Sequence, residues 1–205
     1  MKAALCSIFL LVSIVGSGQD FLDGNFNFSS SKISYLTLTE GSEVKGYIDD
    51  IDRKKGLIEK IVIKDSLGKK MEFLPQDIHH MYIAPSKWDK FAKGVDKMND
   101  FTQWDKNNKV NLAHIKEGYA LFEYSEVMIK KEKKSLLLQL INPGFSNKIK
   151  VFFDPQAKES ASVGIGGFNV AGGQAKSYYV KVGDEVAYKL EKKQYEEKFP
   201  SLFGD

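Results

Sequence analysis

The sequence predicts a mainly β fold of the α+β type, and three observations predict it. Short apolar runs broken by tight turns fill residues 33–83, one segment with helical spacing follows, and extended apolar runs return beyond residue 118. Hydrophobic residues make up 42% and charged residues 28%, which is the balance of a chain that buries a core and not of a disordered one.

The chain opens MKAALCSIFLLVSIVGSGQDF. Lys2 precedes an apolar run over residues 3–15, and Gly16, Ser17 and Gly18 follow. A short positive start, an apolar segment and a small-residue cleavage site form a secretory signal. The run is shorter than the about 20 residues that a bilayer span needs. Residues 1–18 are therefore read as a signal peptide cleaved near Gly18, with Gln19 as the new N-terminus and a retained anchor as the rival. Cys6 lies in AALC, which resembles a lipidation box. Against that, Leu5 stands where a small residue belongs, and the apolar segment follows the cysteine instead of preceding it. Because Cys6 is the single cysteine, the mature chain holds no disulfide, thiolate nucleophile or thiolate metal site.

Residues 19–85 carry the first strands. ISYLTLTEGSEVKGYIDDID gives two extended runs around Glu40, Gly41 and Ser42. LIEKIVIKDSLGKKMEF gives a hairpin around residues 66–69, with Ile61 and Ile63 on one face and Met71 and Phe73 across it. LPQDIHHMYIAP reads as a short turn into one more strand. Five strands in about 50 residues predict a small, strongly bent barrel of the SH3-like or Sm-like kind.

Residues 86–118 read as a helical connector. Ser86 can cap a helix, with Pro85 before it and Asp89 three residues on. Trp88, Phe91, Val95 and Met98 share one face, although Gly94 weakens the helix. TQWDKNNKVNLAHIKEG is polar, with a short helical piece. Residues 119–205 form a second antiparallel β unit with a terminal helix. GYALFEYSEVMIKKEKKSLLLQLINPG holds two long strands meeting near residues 130–134, and the nearly continuous LLLQLI is read as buried on both faces. KIKVFFDP is a third strand, and KSYYVKVGDEVAYKLEK is a hairpin around Gly183 and Asp184. The tail KKQYEEKFPSLF is read as a helix that Pro200 kinks.

The candidate chemistries are weighed residue by residue. SVGIGGFNVAGGQAK (residues 162–176) packs five glycines into fifteen positions. A phosphate-cradling loop places its glycines after a strand and at the opening of a helix. Here strands are expected on both sides, Asn169 stands where the last glycine of G-x-G-x-x-G belongs, and no G-K-[ST] follows. The segment is read as a mobile loop or a glycine-rich strand crossing. In DDIDRKKG a calcium loop would need an oxygen ligand and a glycine where Lys54 and Lys55 stand, so it is read as an exposed turn. His79 and His80 are neighbours on a strand and point to opposite faces, which opposes a shared metal. No G-x-S-x-G is present. A carboxylate pair assembled by the fold, as in glycoside hydrolysis, leaves no spacing signature. IKKEKKS is a basic turn. It could touch an anionic polymer, lipid headgroups or an acidic partner, but such runs are commonly solvated turns that resist aggregation.

Binding surfaces are expected at the aromatic residues Trp88, Trp104, Tyr178 and Tyr179 and at Gly166 and Gly167 of the glycine segment, because loops on rigid scaffolds often carry function. Aromatic residues mostly fill cores, and Trp104 in its polar connector has the least obvious core to join. The formal net charge of +3 announces neither nucleic acid nor an anionic membrane. No cofactor or metal is expected, no nucleic-acid partner, and no transmembrane segment in the mature chain. QDFLDGNFNFSSSKISYLTLTEGSEVKGYIDDIDRKKGLIEKIVIKD, LLLQLINPGFSNKIKVFFDP and KSYYVKVGDEVAYKLEKKQYEEKFPSLFGD resemble uncharacterised exported proteins of Bacteroidota-type bacteria. That resemblance implies a periplasmic or extracellular setting and transfers no active-site residue. The leading expectation is a noncatalytic binding or structural component of the cell envelope, with an envelope protein or polysaccharide as partner. The alternative is a hydrolase of envelope or extracellular polymers.

Overall fold

The computed structural model describes residues 21–86, 110–156 and 177–190 in full, and residues 159–165 and 168–174 as backbone. The expected signal peptide, the helix starting at Ser86, both tryptophans, Gly166, Gly167 and the C-terminal helix lie outside the described residues.

The chain is mainly β with few helices, as predicted, and consists of a closed five-strand barrel with further strands attached. The first strands are β1 (Ile33–Leu38), β2 (Glu43–Lys54), β3 (Leu57–Lys64), β4 (Lys70–Phe73) and β5 (Ile78–Ile83), with a 3-10 turn (Pro75–Asp77) before β5. They lie in the order β5-β1-β2-β3-β4. The expected facing of the β3–β4 hairpin holds, since Ile61 is opposite Phe73 and Ile63 is opposite Met71. A short helix, α1 (Leu112–Lys116), is capped by the Asn111 side chain, which accepts from Ala113 N at 3.1 Å.

The later strands are β6 (Ala120–Ile129), β7 (Glu132–Leu140), β8 (Ile149–Phe153), β9 (Glu159–Ile165), β10 (Phe168–Gln174), β11 (Tyr178–Val182) and β12 (Ala187–Leu190). Strand β6 continues the sheet from β5, and the order runs on through β7, β8, β11 and β12. A parallel pairing of β12 with β6, Ala187 opposite Val127, then closes the ring. Closure leaves no free edge on these five strands and turns one face of each inward. Strand alternation and register put Leu121, Glu123 and Val127, Leu138 and Leu140, Phe152, Tyr179 and Ala187 on one shared face. The other face of β6 and β7, with Phe122, Leu137 and Gln139, meets Arg53, Gly56 and Ile58 of the β2–β3 hairpin. The first set is therefore the inward one.

Leu136 through Leu140 are all buried, because β7 has the ring interior on one side and the first strands on the other. The sequence predicted that double burial from its unbroken apolar run. At Gly46, β2 lies tight against β3. A Cβ there would lie 2.5 Å from Ile63 Cγ2 and 2.7 Å from the Lys64 carbonyl oxygen. The methyl side chain can move, but the backbone oxygen can move only with its strand. Gly46→Ala is expected to destabilise by about 1–3 kcal/mol, read as a lower urea midpoint at unchanged slope.

Candidate functional site at the base of the glycine hairpin

The glycine-rich segment forms strands of its own. β9 and β10 pair antiparallel with each other and belong to a two-strand sheet separate from the large one. Ile165 is opposite Phe168, with register shifts near Ala171. This hairpin leaves the ring after β8 and rejoins it before β11, so its base is the pair Asp154 and Ser177.

That base is a polar cluster at one end of the ring. Asp154 is 0% exposed. Its Oδ2 accepts from Ser177 Oγ at 2.8 Å and pairs with Lys189 Nζ at 2.9 Å, while its Oδ1 accepts from Gln156 N at 2.9 Å. The Tyr179 hydroxyl also hydrogen-bonds Asp154. Between the two chain ends, Asp154 N donates to the Ser177 carbonyl at 3.3 Å. Burial, and then the Asp154 charge, push the Tyr179 hydroxyl above the ordinary tyrosine range, so it stays a neutral donor. A carboxylate with this many donors is saturated, which suits it to holding structure more than to moving protons.

The clamp reaches the first strands as well. Gln156 Nε2 donates to the Lys55 carbonyl at 3.2 Å. Lys55 and Gly56, both at positive φ, form a two-residue turn between β2 and β3. A Cβ on Gly56 would lie 2.5 Å from the Pro155 carbonyl oxygen, so only glycine suits that approach. Asp50 and Asp52 belong to β2 and not to an ion-binding loop.

A second polar group lies on the inward face toward β5. Glu123 pairs with Lys150 at 2.5 Å, and His80 stands opposite Glu123 in the β5–β6 register. The Nδ1 atoms of His79 and His80 are 2.8 Å apart, so one carries the proton and the other accepts it. The rings of these neighbours thus meet, where strand alternation predicted separation. Burial first, and the adjacent His79 second, hold His80 below the ordinary histidine range. His114 is remote from this pair in sequence and stacks on Tyr35 at 4.3 Å. Tyr82 lies between these groups. Its hydroxyl accepts from Asn111 N at 2.7 Å, and burial pushes its pKa up to about 12. Among the described residues no three His, Cys, Asp or Glu side chains are grouped to hold a metal ion.

Of the residues singled out from sequence, Tyr178 and Tyr179 fall beside the clamp but on opposite faces of β11. Tyr178 is half-buried and stacks on Phe21, with ring centroids 6.4 Å apart. Tyr179 is 1% exposed and points into the ring. Sequence reasoning missed Asp154, Ser177 and Lys189. The available signal was a lone aspartate closing the apolar run KIKVFF, an unusual place for a charge without a partner. No protein-family model, curated protein or solved structure matches the chain.

Proposed function

We propose that the chain is an exported, noncatalytic binding or structural component of the cell envelope, and that the β9–β10 hairpin is the element that meets its partner, an envelope protein or polysaccharide. The observation that carries this reading is the clamp: a hairpin that, among the described residues, pairs with no strand but its own stands on a base fixed by a buried carboxylate and its donors. Fixing the root of an otherwise separate element keeps its direction constant, which a recognition loop requires. The inward carboxylates Asp154 and Glu123 each engage a lysine. Export rests on the N-terminal pattern of charge, apolar run and small residues. Four residues past the expected cleavage point, Leu22 N donates to the Ile141 carbonyl at 2.8 Å. Among the described residues no helix is long and apolar enough to cross a membrane.

The test replaces residues 157–176 with a short glycine-serine link in the tagged chain. The thermal midpoint is expected to stay within about 3 °C of the wild type, because the bonds between Asp154 and Ser177 remain. A partner recovered stoichiometrically from native envelope with the wild type should be lost with the deletion. Undiminished recovery would overturn the reading. So would release of soluble sugar or peptide from envelope polymer by the purified chain, which would favour the hydrolase.

A further inference from the structure

His79 and His80 are consecutive residues of β5, and on a regular strand their rings would leave opposite faces. The pairing of β1 with β5 shows why they do not. Leu38 is opposite Ile78 and Thr37 is opposite His80, so His79 is an extra residue with no register partner on β1. That is a β-bulge, in which two residues of one strand face a single residue of its neighbour and a side chain is re-aimed. The bulge turns the exposed His79 ring toward the ring of His80, with centroids 5.1 Å apart.

The two Nδ1 atoms thereby come within 2.8 Å of each other. Nitrogens at that separation, each about 2.0 Å from a common ion, subtend about 90° at it. Neighbouring ligands of square-planar or tetragonal copper(II) and nickel(II) stand at this angle, whereas tetrahedral zinc(II) needs a bite of about 3.3 Å. The other ring nitrogen of His80, Nε2, lies 3.2 Å from Thr37 Oγ1. With Nε2–H donating to that hydroxyl, Nδ1 is the lone pair that His80 presents, the usual support behind a metal-bound imidazole. The Tyr82 ring packs edge-on against His80, centroids 5.6 Å apart, and further fixes it. Glu123 stands opposite His80 but is engaged by Lys150, so the protein supplies two nitrogens and water completes the coordination.

We propose that His79 and His80 form a two-nitrogen chelate for a divalent ion of square-planar or tetragonal preference, copper(II) above nickel(II), with water in the remaining positions. The proton held between the two Nδ1 atoms moves through solvent to the exposed Nε2 of His79, so both rings bind as neutral imidazole. The proposal stands independently of the hairpin reading.

The full mature chain, without a histidine tag, is titrated with copper(II), nickel(II) and zinc(II) sulfate. Copper(II) is expected to bind saturably, with an axial electron paramagnetic resonance spectrum that carries coupling to imidazole nitrogen. Nickel(II) should bind more tightly than zinc(II), as the bite requires. His79→Ala, at an exposed position, should fold as the wild type does and weaken copper(II) binding by about tenfold or more. Thr37→Val should weaken it by about 10–100-fold and Thr37→Ser should restore it, because the hydroxyl is what orients the His80 ring. No saturable copper(II) binding, a spectrum without imidazole coupling, undiminished binding by His79→Ala, or zinc(II) held more tightly than nickel(II) would overturn the proposal. If Thr37→Val does not fold, His79→Ala decides alone.

Discussion

Asp154→Ala is expected to destabilise the protein by about 3 kcal/mol, the larger part of what many domains possess. The substitution removes more than one ion pair. Ser177 Oγ, the Tyr179 hydroxyl, the Gln156 amide and the Lys189 ammonium all lose their acceptor together. Of these, Lys189 is 38% exposed and regains water, which keeps the loss toward the lower end of the about 3–5 kcal/mol seen when buried pairs are broken. Tyr179, at 1% exposure, has no such recourse. Lys189→Met leaves a buried carboxylate still held by Ser177, Tyr179 and Gln156 and should be milder. Asp154→Ala combined with Lys189→Met should lose less than the sum of the two single changes, because neither charge is then stranded. Urea unfolding of the four proteins measures this cycle. A loss below about 1 kcal/mol for Asp154→Ala would mean that the cluster is solvated and that the hairpin base is not clamped.

The strands were legible because each is written locally. Ile61 and Ile63 against Met71 and Phe73, the turn near Gly183, and the unbroken apolar run of β7 all follow from period and turn chemistry within a few residues. Ring closure was not legible. Ala187 meets Val127 across 60 positions of sequence through a parallel pairing, and no local pattern encodes that partnership. The glycine segment was half legible. Its poor fit to a phosphate loop was clear, but its strand character was hidden because glycine carries no side chain to display a period. The clamp was missed for a related reason. Asp154, Ser177 and Lys189 look like ordinary surface residues until closure brings the ends of β8, β11 and β12 together. The tyrosines beside it were singled out for their rings, whereas the hydroxyl of Tyr179 is what joins the cluster.

Leu138→Ala is expected to lower stability by about 3 kcal/mol and to do so throughout the chain, not in the ring alone. Leu138 is 1% exposed and faces the ring interior, while Leu137, at 3%, faces the first strands from the same stretch of β7. The two groups of strands thus share a wall, and the β5–β6 pairing makes their sheet continuous. If the ring opens, β7 leaves both cores at once. The first strands then lose Phe122, Leu137 and Gln139 as their cover. Such sharing makes separate unfolding of either group unfavourable, so one transition should describe both. Amide hydrogen exchange can read this at Ile63 for the first strands and at Phe152 for the ring. In Leu138→Ala, both amides should lose protection by about a hundredfold, the equilibrium equivalent of that free energy. Leu137→Ala should give the same paired loss from the opposite face. If Ile63 kept its protection while Phe152 lost its own, the strands before residue 85 would be a domain that folds without the ring.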